Sequence, residues 1–234
     1  MDVTARNDWL AKMNGIYSKF DADMAAAEQE GMTADPVMER KHGGYMICFG
    51  MHSSLTDQVA DFAHKAKTLV PSLAVYEGDI LHTTLSTFKV SDGFMPHESE
   101  DHASTLKKLA RAIVAAQGVR MRAKCTPDGF VFNKTTGILK GTPGGAFLVY
   151  AHAIIIEAQK EGMELRLPWG GHTTFARATK PITPGEVKKL AELCRTTPFG
   201  KSADRCMNLE VGFFFVSQGK FNVEFTSCLP LFDD

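Results

Sequence analysis

Two phrases in the chain repeat each other about ninety residues apart. They are Ile80-Leu81-His82-Thr83-Thr84-Leu85 and Gly170-Gly171-His172-Thr173-Thr174-Phe175. Along an extended strand, side chains two residues apart share a face, so His82 with Thr84, and His172 with Thr174, would each present an imidazole beside a hydroxyl. An imidazole gives or takes a proton near neutral pH, and a hydroxyl donates to an anionic oxygen. Two such strands facing each other would form a symmetric acid/base site suited to phosphate ester chemistry without a metal. A single His-x-Thr is a weak signal, and on its own more often marks a core or edge histidine. The weight comes from both phrases reading His-Thr-Thr-apolar and from their matching places in a larger repeat.

That repeat is visible in the predicted elements. At the N-terminus Leu10, Met13, Tyr17, Phe20 and Met24 fall at helical steps despite Gly15, predicting an amphipathic helix that packs on the body or dimerises. Gly31 to Gly44 reads as a loop before a buried strand Tyr45–Phe49. Ser54-Leu55-Thr56-Asp57 resembles a capping box for a helix carrying Leu55, Val59, Phe62, Ala66 and Leu69 and stopped by Pro71. The first motif strand is expected over Asp79–Phe88. An acidic loop from Asp92 to Asp101 then leads to a helix with Leu106, Leu109, Ile113 and Val114 on one side. A strand Val119–Cys125 and a hairpin around Lys134-Thr135-Thr136 complete the half.

The second half repeats this order. An almost wholly apolar helix, Ala146–Glu161, leads through Met163–Leu167 to the second motif strand. Thr183-Pro184-Gly185-Glu186 starts a helix with Val187, Leu190, Ala191 and Cys194 on its stripe. Met207, Leu209, Val211, Phe213 and Phe215 then alternate up to a Ser217-Gln218-Gly219-Lys220 turn and a last strand. Each half thus runs helix, motif strand, helix, strands, and such a duplication lets one chain set two equivalent strands across a shared groove.

Composition narrows the chemistry. At 234 residues, 44% hydrophobic and 23% charged, the chain can bury a substantial core as one large domain or two joined lobes. A net charge of -1 provides no global positive field for long nucleic acid, so a small nucleotide or an RNA end is the more natural anionic ligand. The N-terminus lacks a basic start and an apolar run, and the Phe147–Ala158 stretch is too short to span a bilayer. A soluble, cytoplasmic protein with no membrane partner is expected. Cys48, Cys125, Cys194, Cys206 and Cys228 are scattered and odd in number, which reads as reduced core thiols and not as a disulfide framework or a zinc site.

Other residues invite roles. Arg177 follows Thr174 by three positions and on an ideal strand would face away from His172; it binds phosphate at a bulge, or forms a surface salt bridge. Trp169 could stack a nucleobase or be packed. Arg120, Arg122 and Lys124 read as a solvated sheet face in preference to a substrate-guiding patch. His97 and His102 lack cysteine partners and read as solvent-exposed, while His152 in its apolar helix reads as a satisfied core residue. His42, His52 and His64 have no companion motif.

His82-Thr83-Thr84-Leu85 and His172-Thr173-Thr174-Phe175-Ala176-Arg177 resemble the paired His-x-Thr/Ser-x motifs of the two-histidine (2H) phosphoesterase superfamily. The second is close to the His-x-Thr-Leu-Ala-Arg form of the bacterial and archaeal RNA 2',3'-cyclic phosphodiesterases, also called LigT-like proteins, with Phe175 in place of leucine. The resemblance implies an α/β (α+β) bilobal fold of two mainly antiparallel sheets with outer helices, related by a pseudo-two-fold. It divides the chain into an N-terminal helical extension, residues 1–43, and the bilobal domain, residues 44–234. It also implies a hydrolase needing neither metal nor cofactor, which opens a 2',3'-cyclic phosphate of an RNA end or small nucleotide to a 2'-phosphate. Carried over, His82 and His172 are general base and general acid in an order still open, and Thr84 and Thr174 hold the nonbridging oxygens. A 2',5'-phosphodiesterase for short 2',5'-linked oligonucleotides, or a nucleotide-binding module without turnover, could use the same four residues.

Overall fold

A computed structural model describes residues 3–50, 53–76, 78–116, 125–198 and 209–229, apart from the side chains of Val3, Ser53, Ser54, Asp79 and residues 226–229. The order is α1 (Val3–Glu30), β1 (His42–Gly50), α2 (Ser53–Leu69), β2 (Leu73–Val75), β3 (His82–Asp92), α3 (His102–Ala116), β4 (Cys125–Phe132) and β5 (Thr136–Pro143). It continues with α4 (Gly145–Lys160), β6 (Thr173–Ala178), α5 (Pro184–Thr196), β7 (Leu209–Ser217) and β8 (Lys220–Leu229). The expected strand Val119–Cys125, with Arg120, Arg122 and Lys124, lies outside the described residues up to position 124. So do His52, Cys206 and Met207.

Local chemistry explains the helix ends and faces. Thr183 and Glu186 form the expected capping box: the Thr183 N–H donates to the Glu186 carboxylate at 3.0 Å and the Glu186 N–H donates to the Thr183 hydroxyl at 3.4 Å. Val187, Leu190, Ala191 and Cys194 form the buried stripe. In α3 the buried stripe is Leu106, Leu109 and Ile113, whereas Val114 is 53% exposed, because one residue further turns the side chain by about 100°. His152 is half-buried on the flank of α4, not in its core. His102 departs from plain exposure, since its ring packs edge-on against Phe213 and its Nδ1 lies 3.3 Å from the Tyr45 hydroxyl.

All strand pairings are antiparallel, in the order β4-β5-β6-β3-β1-β7-β8, with β2 beside β6. The two expected sheets are the halves of one curled sheet, and the motif strands β3 and β6 meet at its centre through one pair, Thr83↔Thr173. Connectivity crosses between the halves. The β4–β5 hairpin, from the first half, pairs with β6 of the second, while the β7–β8 hairpin reaches β3 through β1. The segment before each motif strand also crosses over: β2 pairs with Ala176–Ala178, and Arg166 bridges Thr87. Each lobe is therefore completed by chain from the other half.

Two cores lie against this sheet. One gathers Tyr45, Phe49 and Leu85 with Leu109, Ile113, Phe147 and Ile154 of α3 and α4, and with Trp9, Met13, Tyr17 and Phe20 of α1. The other joins Phe130, Phe132 and Phe175 to Phe62 of α2 and to Val187 and Leu190 of α5. The apolar residue closing each motif, Leu85 or Phe175, is wholly buried in its own lobe's core and anchors that strand. The N-terminal helix thus shares a core with the lobes, with Trp9 taking the place expected of Leu10. Cys48, Cys125 and Cys194 are buried and not disulfide-bonded, and burial pushes the Cys125 and Cys194 thiols up to about 12. Among the described residues no helix is long and apolar enough to cross a membrane.

Candidate active site

Register alone assembles the four motif side chains. With Thr83 paired to Thr173 in antiparallel strands, His82 stands level with Thr174 and Thr84 level with His172. Thr83 and Thr173 turn to the buried side, 5% and 3% exposed, and their hydroxyls lie 3.0 Å apart. Their neighbours must then project from the opposite face, and His82, Thr84, His172 and Thr174 are indeed all partly exposed. Each imidazole therefore sits across from the hydroxyl of the other motif. β3 begins at His82 and not at Asp79, because Gly78–Ile80 forms a 3-10 turn; His172 lies just ahead of β6.

Both motif strands carry a bulge at the same place. Thr84 and Ser86 pair with the consecutive residues Cys48 and Ile47, skipping Leu85; Thr174 and Ala176 pair with Ile138 and Gly137, skipping Phe175. One extra residue inverts the alternation beyond it. Arg177, three residues after Thr174, is thereby returned to the face of Thr174 and His172. Its guanidinium donates to the buried Asp35 carboxylate, to the Tyr76 hydroxyl at 2.8 Å and to the Thr136 hydroxyl at 3.3 Å. Of its two expected settings, Arg177 occupies the bulge face and also forms a salt bridge, largely buried, since its side chain is 23% exposed and that of Asp35 5%.

The two histidines are held differently. His82 Nδ1 lies 2.7 Å from the Ile80 carbonyl, which fixes that nitrogen as the protonated one in the neutral ring and leaves Nε2 for chemistry. His172 Nδ1 is buried and no hydrogen bond of ordinary geometry reaches it, although the Gly170 carbonyl is near enough to favour a proton. Instead its ring stacks on Trp169, centroids 3.7 Å apart and planes 24° off parallel. Burial pushes both imidazoles below the usual histidine range. His172 falls to about 3, chiefly through burial, with His82 and Arg177 adding to the effect; His82 falls through burial alone, opposed by the Ile80 carbonyl.

A cavity of about 410 Å³ beside His82 is lined by Gly50, Thr56, Gly78, Leu81, Glu210, Val223 and Phe225. Gly50 is the register partner of His82, and a Cβ there would come to 2.8 Å from the Glu210 carboxylate, which would have to shift. The Phe225 ring lies edge-on to His82 at 6.3 Å. Neither Glu210 nor Phe225 is signalled by the sequence, because each reaches the site through the β7–β8 hairpin. Among the described residues no group of three His, Cys, Asp or Glu side chains is placed to hold a metal ion.

Taken together, a mixed α/β fold with a curled antiparallel sheet and two facing motif strands defines a LigT-like architecture. The structure superposes on Escherichia coli LigT complexed with 3'-AMP with a TM-score of 0.50 and 14% identity, covering 80% of this chain and 98% of that one. A phosphoesterase matches with a TM-score of 0.46, 16% identity and coverage of 80% and 98%. The Thermus thermophilus protein TT0787 matches with a TM-score of 0.49, 12% identity and coverage of 80% and 97%. No protein-family model matches the chain, and no curated protein sequence does.

Proposed function

We propose that the chain is a phosphodiesterase that opens a 2',3'-cyclic phosphate of an RNA end or small nucleotide by two-histidine acid/base catalysis, without a metal. The observation that carries this reading is the register at Thr83↔Thr173, which sets each motif histidine across from the other motif's threonine. The shared fold with a LigT structure holding 3'-AMP supports a nucleoside phosphate as the ligand class.

The surroundings of each imidazole support one assignment of the roles. His172, which burial and Arg177 keep neutral before attack, is the imidazole free to accept the proton of the attacking water. His82 has no such cation among the causes of its shift, and the Ile80 carbonyl favours its protonated form; it gains a proton as the anionic phosphodiester enters and passes it to the leaving oxygen. Thr84 and Thr174 donate to the nonbridging oxygens, where charge grows in the pentavalent transition state. Arg177 adds positive charge to that end of the groove, and the cavity beside His82 has room for the ribose and part of the base. Trp169, 37% exposed, is the remaining candidate for contact with a base.

Screening 2',3'-cyclic mononucleotides, 3',5'-cyclic nucleotides and 2',5'-linked adenylates, with phosphorus NMR of the products, tests the reading. A 2'-phosphate from a 2',3'-cyclic nucleotide is expected. A 3'-phosphate would reverse the roles of the histidines or the orientation of the ribose. Cleavage of 2',5'-linked adenylates alone would make the chain a 2',5'-phosphodiesterase, and binding without turnover of any substrate would make it a nucleotide-binding module.

A further inference from the structure

His82 and His172 open equivalent motifs, yet only His82 has its ring fixed by a backbone hydrogen bond of ordinary geometry, the Gly170 carbonyl standing near His172 without one. The second motif is gripped from outside the lobes by α1. Trp9 Nε1 donates to the Pro168 carbonyl at 2.6 Å; Phe20 stacks with Trp169 at 6.1 Å and Tyr17 meets it edge-on at 6.0 Å. At Gly170 a Cβ would lie only 3.1 Å from the Tyr17 hydroxyl and 3.2 Å from Met13 Cγ, so the loop is seated closely on the helix. Tyr17 is itself pinned, donating to the Gly141 carbonyl at 3.0 Å. Positions 9, 13, 17 and 20 form one helical face, and three residues shortly before His172, Pro168 to Gly170, rest on it. Next in line, the Gly171 carbonyl accepts from Cys125 Sγ at 3.2 Å.

We infer that α1 is part of the catalytic apparatus: through Phe20 and Tyr17 it clamps Trp169, and Trp169, stacked on His172, orients an imidazole whose Nδ1 has the Gly170 carbonyl nearby but no hydrogen bond of ordinary geometry. Trp169 and the α1 aromatics are positioning residues, and their contribution is a histidine ring aimed into the groove and shielded from water on its stacked face. The inference rests on the proposed role of His172, but its geometry does not depend on the substrate. The charged and titratable groups that face His172 are His82 and Arg177 from the strands. Tyr17 and Cys125 lie behind the loop, and burial keeps both neutral at ordinary pH.

The test uses the full chain and the variants Trp169→Ala, Trp169→Phe and Phe20→Ala, each checked for folding by circular dichroism. NMR titration of the His172 ring in the free protein needs no substrate. Uncovering the ring in Trp169→Ala should raise its midpoint by about one unit or more, Phe20→Ala should move it the same way by less, and Trp169→Phe should hold it near wild type. With a 2',3'-cyclic nucleotide, Trp169→Ala should lower kcat on the order of tenfold with KM little changed, and Trp169→Phe should recover most of that. An unmoved His172 titration in Trp169→Ala overturns the inference. So does a rise in KM alone, which would give Trp169 to the substrate as a base-stacking surface. If no phosphodiester is turned over but the titration shifts as stated, the brace stands and the proposed reaction falls.

Discussion

The hydroxyls of Thr83 and Thr173 meet at 3.0 Å, at the residue pair that joins the two halves of the sheet and sets the two motifs in register. The middle residue of each motif thus points away from the groove and does not touch the chemistry, while fixing where its neighbours stand. Thr83→Val leaves the Thr173 hydroxyl buried without this partner and should cost about 1–3 kcal/mol, as should Thr173→Val. The double variant removes both polar groups and should cost less than the two singles added together, a coupling that denaturant melts can measure. Strict additivity would mean that the hydroxyl pair does not hold the lobes in register.

The four side chains on the other face should behave as chemical groups. His82→Ala and His172→Ala should each lower turnover on the order of 10²-fold to 10⁴-fold, with Thr84→Ala and Thr174→Ala costing less and all four variants folding. Wild-type turnover in either well-folded histidine variant would remove that histidine from the mechanism. Exhaustive chelation should leave the rate unchanged; loss of activity restored by zinc or manganese would point to a metallohydrolase instead.

Arg177 and Asp35 form a largely buried ion pair in which Asp35 also accepts from the Val37 N–H at 3.0 Å and the Thr136 hydroxyl at 3.1 Å. Asp35→Ala strands the guanidinium and should cost on the order of 3 kcal/mol in a denaturant melt. Arg177→Gln should raise KM for an anionic substrate more than it lowers kcat, since a charge that draws the phosphate serves ground state and transition state alike. A normal KM in Arg177→Gln would reduce Arg177 to a purely structural pair.

Much of this site is legible in the sequence because helix caps and strand alternation are local. Thr183 and Glu186 announce their helix, and the repeated His-Thr-Thr phrase names the face of each strand as far as Thr84 and Thr174. Arg177 is not placed by the same rule, because the skipped residue at Phe175 is defined by the pairing with β5, which lies some forty positions earlier. The crossing of the halves is invisible for the same reason: β2 and Arg166 find strands of the other half, and no local pattern states which strand an edge will meet. Trp169 against His172 is a contact between near neighbours, yet it depends on α1, whose stripe says that it packs but not on what.

Acid stability gives a test of the buried imidazoles that needs no substrate. A histidine whose folded pKa is depressed is neutral in the fold and protonated on unfolding at low pH, so the unfolded chain binds the extra proton. Stability from this group is fully present above the ordinary value of 6.5 and is lost as pH falls from there toward about 3, where folded His172 also takes up the proton. The slope per group approaches about 1.4 kcal/mol per pH unit inside that window. His172→Gln removes the titration and keeps a polar side chain, so between those limits it should lose stability with falling pH less steeply than the wild type. Urea melts at several values across the window read the difference directly. Parallel slopes for the two proteins would show that His172 titrates normally, and its description as an imidazole held neutral by burial would have to be given up.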